Sequence, residues 1–210
     1  MVFRFKKSAC VVVGTFNMYI IQPPWLAKIG VIPKGTQVGI SAKLDEPGFR
    51  FSVLTKPSTH WMVSPSRIDL ESDSWEEDCG APIAKVLERL PETPLKGIGL
   101  NFIYEASLSE IESLTYVSEF SPVPPEGYDL AQRSLHVGFK RGEQTFNLQL
   151  SVLGESIEIA ANIHTDLEDK EGGIAQGVTK DFLGLRNEAE TIVRGLFKVS
   201  ITHDSDSRQG

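Results

Sequence analysis

Three acidic residues alternate at Asp69, Glu71 and Asp73. In an extended strand this spacing puts the three carboxylates on one face. Carboxylate oxygens are ligands that Mg²⁺ and Ca²⁺ prefer, so one hypothesis is a cation site. The alternative is a solvated acidic edge that discourages strand pairing, and the chain enters a turn here, which favours that alternative. We therefore predict no metal site and no cofactor.

A second candidate is the pair His164 and Asp166. Residues two apart share a face of a strand, and a histidine beside a carboxylate can serve as a general base. The chain contains neither a G-x-S-x-G nucleophile elbow nor an H-E-x-x-H zinc motif. We therefore predict no catalytic residue, and we keep an enzyme with an unrecognised site near these two residues as an alternative.

Polar and mostly uncharged side chains occupy alternate positions of several apolar segments. An amide-rich sheet face can hydrogen-bond a protein or the edges of nucleic-acid bases, although it can also simply face water. The predicted binding face consists of Arg50, Ser52, Asn147, Gln149, Ser151, Asn162 and His164. Trp75 lies beside three acidic residues, and an exposed tryptophan is a plausible partner anchor; packing against the sheet edge is its alternative.

The charge balance bears on possible partners. With 21 basic and 28 acidic residues, the chain has a net charge of -7, which disfavours nucleic acid because phosphate contacts use clustered lysine and arginine. A nucleic-acid-binding surface would need Lys43, Arg50, Lys140 and Arg141 to converge on one concave face. The apolar run near the N-terminus is too short for a membrane span, so we expect a cytoplasmic protein with no membrane partner.

The segment VVVGTFNMYII from Val11 to Ile21 could be a phosphate-binding turn or a strand. It has one glycine where nucleotide-binding motifs need several, so we predict a long strand with a bend at Gly14. A short helix follows and ends near Gly30. Strands are predicted over 38–44, 49–54 and 60–70, the last of them broken or bulged near Pro65, and then a long helix with Ile83 and Val86 on one face.

The second half of the chain repeats this order. A strand is predicted over 97–104, a short helix over 107–114 and strands over 135–139, 146–152 and 157–163. A glycine-rich loop then precedes a last helix whose apolar stripe includes Phe182, Leu185 and Ala189.

The element order predicts an α+β fold of two pseudo-repeats, each with a strand, a short helix, antiparallel strands and a long helix. The halves would span 1–94 and 95–202 and pack as one domain, followed by a disordered tail over 203–210. In element order this resembles the duplicated saddle of the TATA-binding-protein architecture. The resemblance implies a curved antiparallel sheet with the long helices on one face. It carries over no functional residue, and fold alone does not imply function.

These observations favour a non-catalytic binding or assembly module, such as an accessory subunit of a bacterial system. It would hold a protein partner or associate with a second copy of itself. The alternatives are a nucleic-acid-binding saddle and the enzyme mentioned above.

Overall fold

The computed structural model describes residues 2–42, 47–107, 133–153, 155–167 and 172–203, which form an α+β fold with a large antiparallel sheet. The strands are β1 Val2–Gly14, β2 Val38–Ser41, β3 Phe49–Val53, β4 Thr59–Ser64, β5 Arg67–Ser72, β6 Leu95–Ser107, β7 Arg133–Arg141, β8 Gln144–Leu153, β9 Ser156–Asp166 and β10 Ser200–Thr202. The helices are α1 Pro23–Lys28, α2 Gly80–Arg89, α3 Gly172–Lys180 and α4 Phe182–Phe197.

One sheet contains every described strand. Its order is β2-β3-β4-β5-β1-β6-β9-β8-β7, and β10 pairs in parallel with the start of β1. All other pairs are antiparallel. The two longest strands, β1 and β6, lie side by side near the middle and join the two halves of the chain.

The core lies on one face of the sheet because apolar and polar residues alternate along the strands. In β9, for example, Ile157, Ile159, Ala161 and Ile163 are buried, while the residues that alternate with them are only partly buried. All four helices add buried side chains to the same core, which draws residues from both halves of the chain. Phe182 of α4 packs on Phe102 of β6 with ring centroids 5.4 Å apart.

The prediction of a strand running to Ile21 is wrong. Strand β1 begins at Val2 and ends at Gly14, where its pairing with β6 shifts register. A Cβ at Gly14 would lie 2.6 Å from the carbonyl oxygen of Pro94, so the close approach of the two chain segments requires glycine here. The chain then turns, and the Asn17 side chain accepts a hydrogen bond from the backbone N–H of Tyr19 (3.1 Å).

The predicted strand over 60–70, with its break or bulge near Pro65, is two strands that form a hairpin. Strands β4 and β5 pair antiparallel, with Ser64 opposite Arg67 and a two-residue turn between them. Pro65 lacks the N–H that a continuous central strand would need. The first half therefore has four strands after its short helix, one more than predicted.

The helices follow their predicted apolar stripes. Helix α1 has prolines in its first turn and is followed by Gly30, whose φ of +73° suits glycine. Helix α2 begins where the Asp78 carboxylate accepts hydrogen bonds from the N–H groups of Gly80 and Ala81. The last helical region is two helices rather than one, since α3 ends at Lys180 and α4 starts at Phe182.

Several predictions fall outside the described residues: most of the short helix over 107–114, Lys43 and the tail from 204 onward. His203 belonged to the predicted disordered tail, but its ring is packed on Trp75. Cys10 and Cys79 are buried free thiols. Within the described residues, no helix has the length and hydropathy needed to cross a membrane.

Candidate functional site

The face of the sheet opposite the core carries the candidate site. We call it the polar face and define it by the side chains that alternate with the core residues along β1 and along β3 to β9. It includes Arg50, Ser52, His60, Asp69, Glu71, Asn101, Asn147, Gln149, Ser151, Asn162 and His164. All seven residues of the predicted binding face are therefore on the same side of the sheet, and their role in binding stays a prediction.

A row of asparagines crosses three neighbouring strands in the second half of this face. Asn162 of β9 is opposite Asn101 of β6 on one side and Asn147 of β8 on the other. The Asn147 amide donates to the Asn162 oxygen (3.3 Å), and the Asn162 amide donates to the Asn101 oxygen (2.9 Å). Each amide still has hydrogen-bonding capacity after these contacts, since an NH₂ group has two donors and a carbonyl oxygen two lone pairs.

Two glycines of β6 make room for this row. A Cβ at Gly99 would lie 3.3 Å from the Asn162 Nδ2 atom, and one at Gly97 would lie 3.2 Å from the His164 ring. The side chains of β9 can therefore lie over β6. Because neither glycine has a side chain, the middle of the polar face is flat at these two positions. A flat region of this kind lets another molecule's backbone approach closely.

The first half of the polar face is more charged. Ser52 Oγ and His60 Nδ1 share a hydrogen bond of 2.9 Å across β3 and β4. Arg67 donates to Asp69 two residues later in β5. Burial raises the pKa of Asp69, and the hydrogen bond from Arg67 opposes this shift. A shallow concavity of about 450 Å³ lies above these residues.

The three carboxylates of the acidic triplet do not converge on one point. Asp69 and Glu71 share the polar face, whereas Asp73 follows the end of β5 and is exposed. Glu71 instead pairs with Lys7 across the sheet (3.5 Å). Among the described ranges, no three histidine, cysteine, aspartate or glutamate side chains are close enough to hold a metal ion.

His164 and Asp166 do contact each other, with Nε2 and Oδ1 2.8 Å apart. Asp166 is 89% exposed, and the residue opposite His164 on β8 is Thr145. The pair lies at the end of β9, which is an inner strand of the sheet, and Asp166 is mostly exposed to water. Water solvates such a contact, so the geometry is that of an ordinary surface hydrogen bond, and a catalytic role for the pair stays a hypothesis.

The three described members of the basic set, which are Arg50, Lys140 and Arg141, do not converge on one part of the sheet, whereas the nucleic-acid alternative requires them to. Arg50 of β3 and Lys140 of β7 share the polar face but are seven strand spacings apart, roughly 34 Å. Arg141 lies on the opposite face, where it pairs with Glu188 of α4 and stacks over Phe146.

Trp75 is partly buried and packs against the core. The guanidinium of Arg186 lies over its ring at 3.8 Å, and the imidazole of His203 stacks with it, with centroids also 3.8 Å apart. Phe5 contacts the ring edge-on. A role for Trp75 as a partner anchor stays a prediction, and this packing leaves only part of the ring edge for such a contact.

Sequence reasoning missed Asn101, Gly99 and His60. They belong to the site because of their cross-strand neighbours, which lie on segments up to 65 residues away in the chain. Only the alternation of Asn101 with Leu100 and Phe102 could have hinted at a polar strand position. Comparisons with known proteins give no further guide, since no protein-family model matches the chain and no curated protein matches its sequence.

Proposed function

We propose that this protein is a non-catalytic binding module that holds a protein partner on its polar face. The observation that carries this proposal is the hydrogen-bonded row Asn101–Asn162–Asn147 on neighbouring strands. The row keeps the amide groups in fixed orientations, so little side-chain entropy is lost when they bind. Amides are neutral and carry both donors and acceptors, which match the N–H and C=O groups of another polypeptide.

The charges of the polar face also favour a protein over a nucleic acid. Lys6 is held between Glu105 and Glu158, 3.3 Å from each carboxylate, and Lys7 is paired with Glu71. Cations that are already paired gain little by contacting phosphate. The dispersed positions of Arg50 and Lys140 point the same way.

We also infer that the two halves are pseudo-repeats related across the β1–β6 pair. The strand order supports this inference, because β5, β4 and β3 follow outward from β1 just as β9, β8 and β7 follow from β6. Under this correspondence the polar face is a duplicated surface, and its two halves differ by the asparagine row on one side and the charged concavity on the other. A curved saddle shape is part of the same proposal.

The test is native mass spectrometry of the protein purified gently from its own host, with two matched variants. Asn147→Arg puts a long cation on an exposed position of the asparagine row. Thr191→Arg makes the same kind of change on an exposed position of α4, on the other side of the molecule.

We expect a complex of fixed stoichiometry with another protein, or a fixed homo-oligomer, in the wild type and in Thr191→Arg. The same complex should be lost in Asn147→Arg while the far-ultraviolet circular dichroism of the variant is unchanged. A bare monomer, a bound nucleic acid, or a complex that survives Asn147→Arg would refute the proposal.

A further inference from the structure

The concavity in the first half of the polar face has features of a ligand site. It holds about 450 Å³ above strands β3, β4 and β5. Its principal side chains are Arg50, Ser52, His60, Met62, Arg67 and Asp69. Met62 lies between Arg50 and Asp69 in the same cross-strand row, so an apolar side chain separates a cation from a carboxylate.

The charges around this concavity differ in how closely they are paired within the described residues, and Arg50 acts on Asp69 through space without forming a salt bridge. Arg67 is bonded to Asp69, and Glu71 is paired with Lys7. Arg50 is exposed and makes no ion pair with any residue in the described ranges. A planar guanidinium with free N–H groups is the side chain best suited to two parallel hydrogen bonds with a carboxylate.

Two further polar groups lie beside Arg50. Ser52 is two residues along the same strand and faces the same side, roughly 7 Å away along the backbone. Its hydroxyl is bonded to the His60 ring, which holds both side chains in place. A hydroxyl can donate one hydrogen bond and accept others, so Ser52 can reach a ligand oxygen by turning its hydrogen.

We propose that this concavity binds a carboxylate group, with Arg50 as the charged partner and Ser52 and His60 as neighbouring hydrogen-bonding groups. Arg50, which forms no salt bridge within the described ranges, supplies the one positive charge that a carboxylate matches. A phosphate carries about 1.5 to 2 negative charges at neutral pH, and Asp69 would repel the additional charge. The site therefore selects carboxylates over phosphates.

The carboxylate could come from a small dicarboxylic acid or from an acidic side chain of a protein. In the second case this proposal rests on the proposed function, because an acidic segment of the protein partner would lie over β3 and β4. In the first case the site works whether or not the polar face binds a protein, so the two proposals can fail separately.

The experiment titrates the full chain with three probes: glutarate, a capped pentapeptide that contains two glutamates, and inorganic phosphate. Binding is followed through the Arg50 Nε–H and His60 ring signals in ¹⁵N-edited NMR spectra. The variant is Arg50→Gln, and the matched control is Lys140→Gln, which removes an exposed cation from the same face at the opposite edge.

We expect saturable shifts with glutarate or with the peptide, and the probe that saturates identifies the source. Affinity should fall at least tenfold in Arg50→Gln and stay within twofold in Lys140→Gln, while phosphate binds at least tenfold more weakly than the better carboxylate. Absence of saturation with both carboxylates, tighter binding of phosphate, or unchanged affinity in Arg50→Gln would overturn the proposal.

Discussion

Adding a single methyl group at Gly80 should lower the stability of the helix layer strongly. Gly80 is the first residue of α2, which packs against α3. A Cβ built at Gly80 would overlap the carbonyl oxygen of Thr179 and the Cβ of Phe182, both well inside the 3.0 Å that real Cβ atoms keep from their neighbours. Neither obstacle can rotate away, because one is backbone and the other is attached directly to it.

The expected size of the effect follows from these contacts. Overpacking costs about 1 to 3 kcal/mol, and rigid obstacles place Gly80→Ala near 3 kcal/mol. Alanine regains up to about 1 kcal/mol of helix propensity. The net loss is then about 2 kcal/mol, which lowers the folded-to-unfolded ratio about 30-fold. For a chain of this length it corresponds to a fall in Tm of about 4 to 8 °C.

Equilibrium urea unfolding, followed by circular dichroism, measures this loss. The matched control is Gly195→Ala in α4, where an added Cβ would meet nothing within 4 Å. That variant should be unchanged or gain up to about 1 kcal/mol. If Gly80→Ala is as stable as the wild type, or if the two variants change in the same direction, our account of how α2 packs on α3 is wrong.

Three further predictions concern the core and the polar face. Burial raises the pKa of Cys79 to about 12 and that of Cys10 well above its usual value, so iodoacetamide at pH 8 should label neither thiol until urea unfolds the chain. Because the folded pKa of Cys79 exceeds its unfolded value of 9.0, its contribution to stability should be complete below pH 9 and decline as the pH rises towards 12 in urea titrations. Glu190→Gln weakens the contacts that hold β10 and should cost about 1 to 3 kcal/mol with faster hydrogen exchange in that strand, whereas Glu188→Gln at an exposed pair should cost under about 1 kcal/mol. Asn162→Ala should cost under about 1.5 kcal/mol of stability yet weaken partner binding at least tenfold by titration calorimetry; equal partner affinity would contradict the role of the asparagine row.

The Glu190 prediction rests on hydrogen bonds that link α4 to β10 and to His203. Glu190 accepts hydrogen bonds from Arg194 (2.7 Å) and lies 3.0 Å from the His203 ring nitrogen. Arg194 also donates to the carbonyl oxygen of Ile201 in β10 (2.7 Å). These contacts, together with the stacking of His203 on Trp75, explain why His203 is packed against the protein, where polar composition alone predicted disorder.

The strands with strict alternation were the most predictable elements. The pattern from Phe146 to Val152 identified β8 and separated its core residues from its polar residues, because side chains in a strand alternate between two faces whatever its neighbours are. The interruption near Pro65 was predicted, but its being a hairpin turn was not, because the strands on both sides alternate and a turn of two residues hardly interrupts the pattern. The part of β1 from Val2 onward was missed because two successive lysines, Lys6 and Lys7, suggest a solvent-exposed segment before the strand. In the structure, carboxylates on the neighbouring strands compensate both charges.

The sequence by itself determined the α+β class, the apolar stripes of the helices and the sets of polar residues that share a face. These are local properties, and they depend only on the repeat of 2 or 3.6 residues and on where glycine and proline interrupt it. The tertiary structure alone decided which strands are neighbours, and therefore that Asn101 meets Asn162 and that Ser52 meets His60. Cross-strand register depends on the packing of the whole core, because residues far apart in the chain become neighbours only when every apolar face is buried at once.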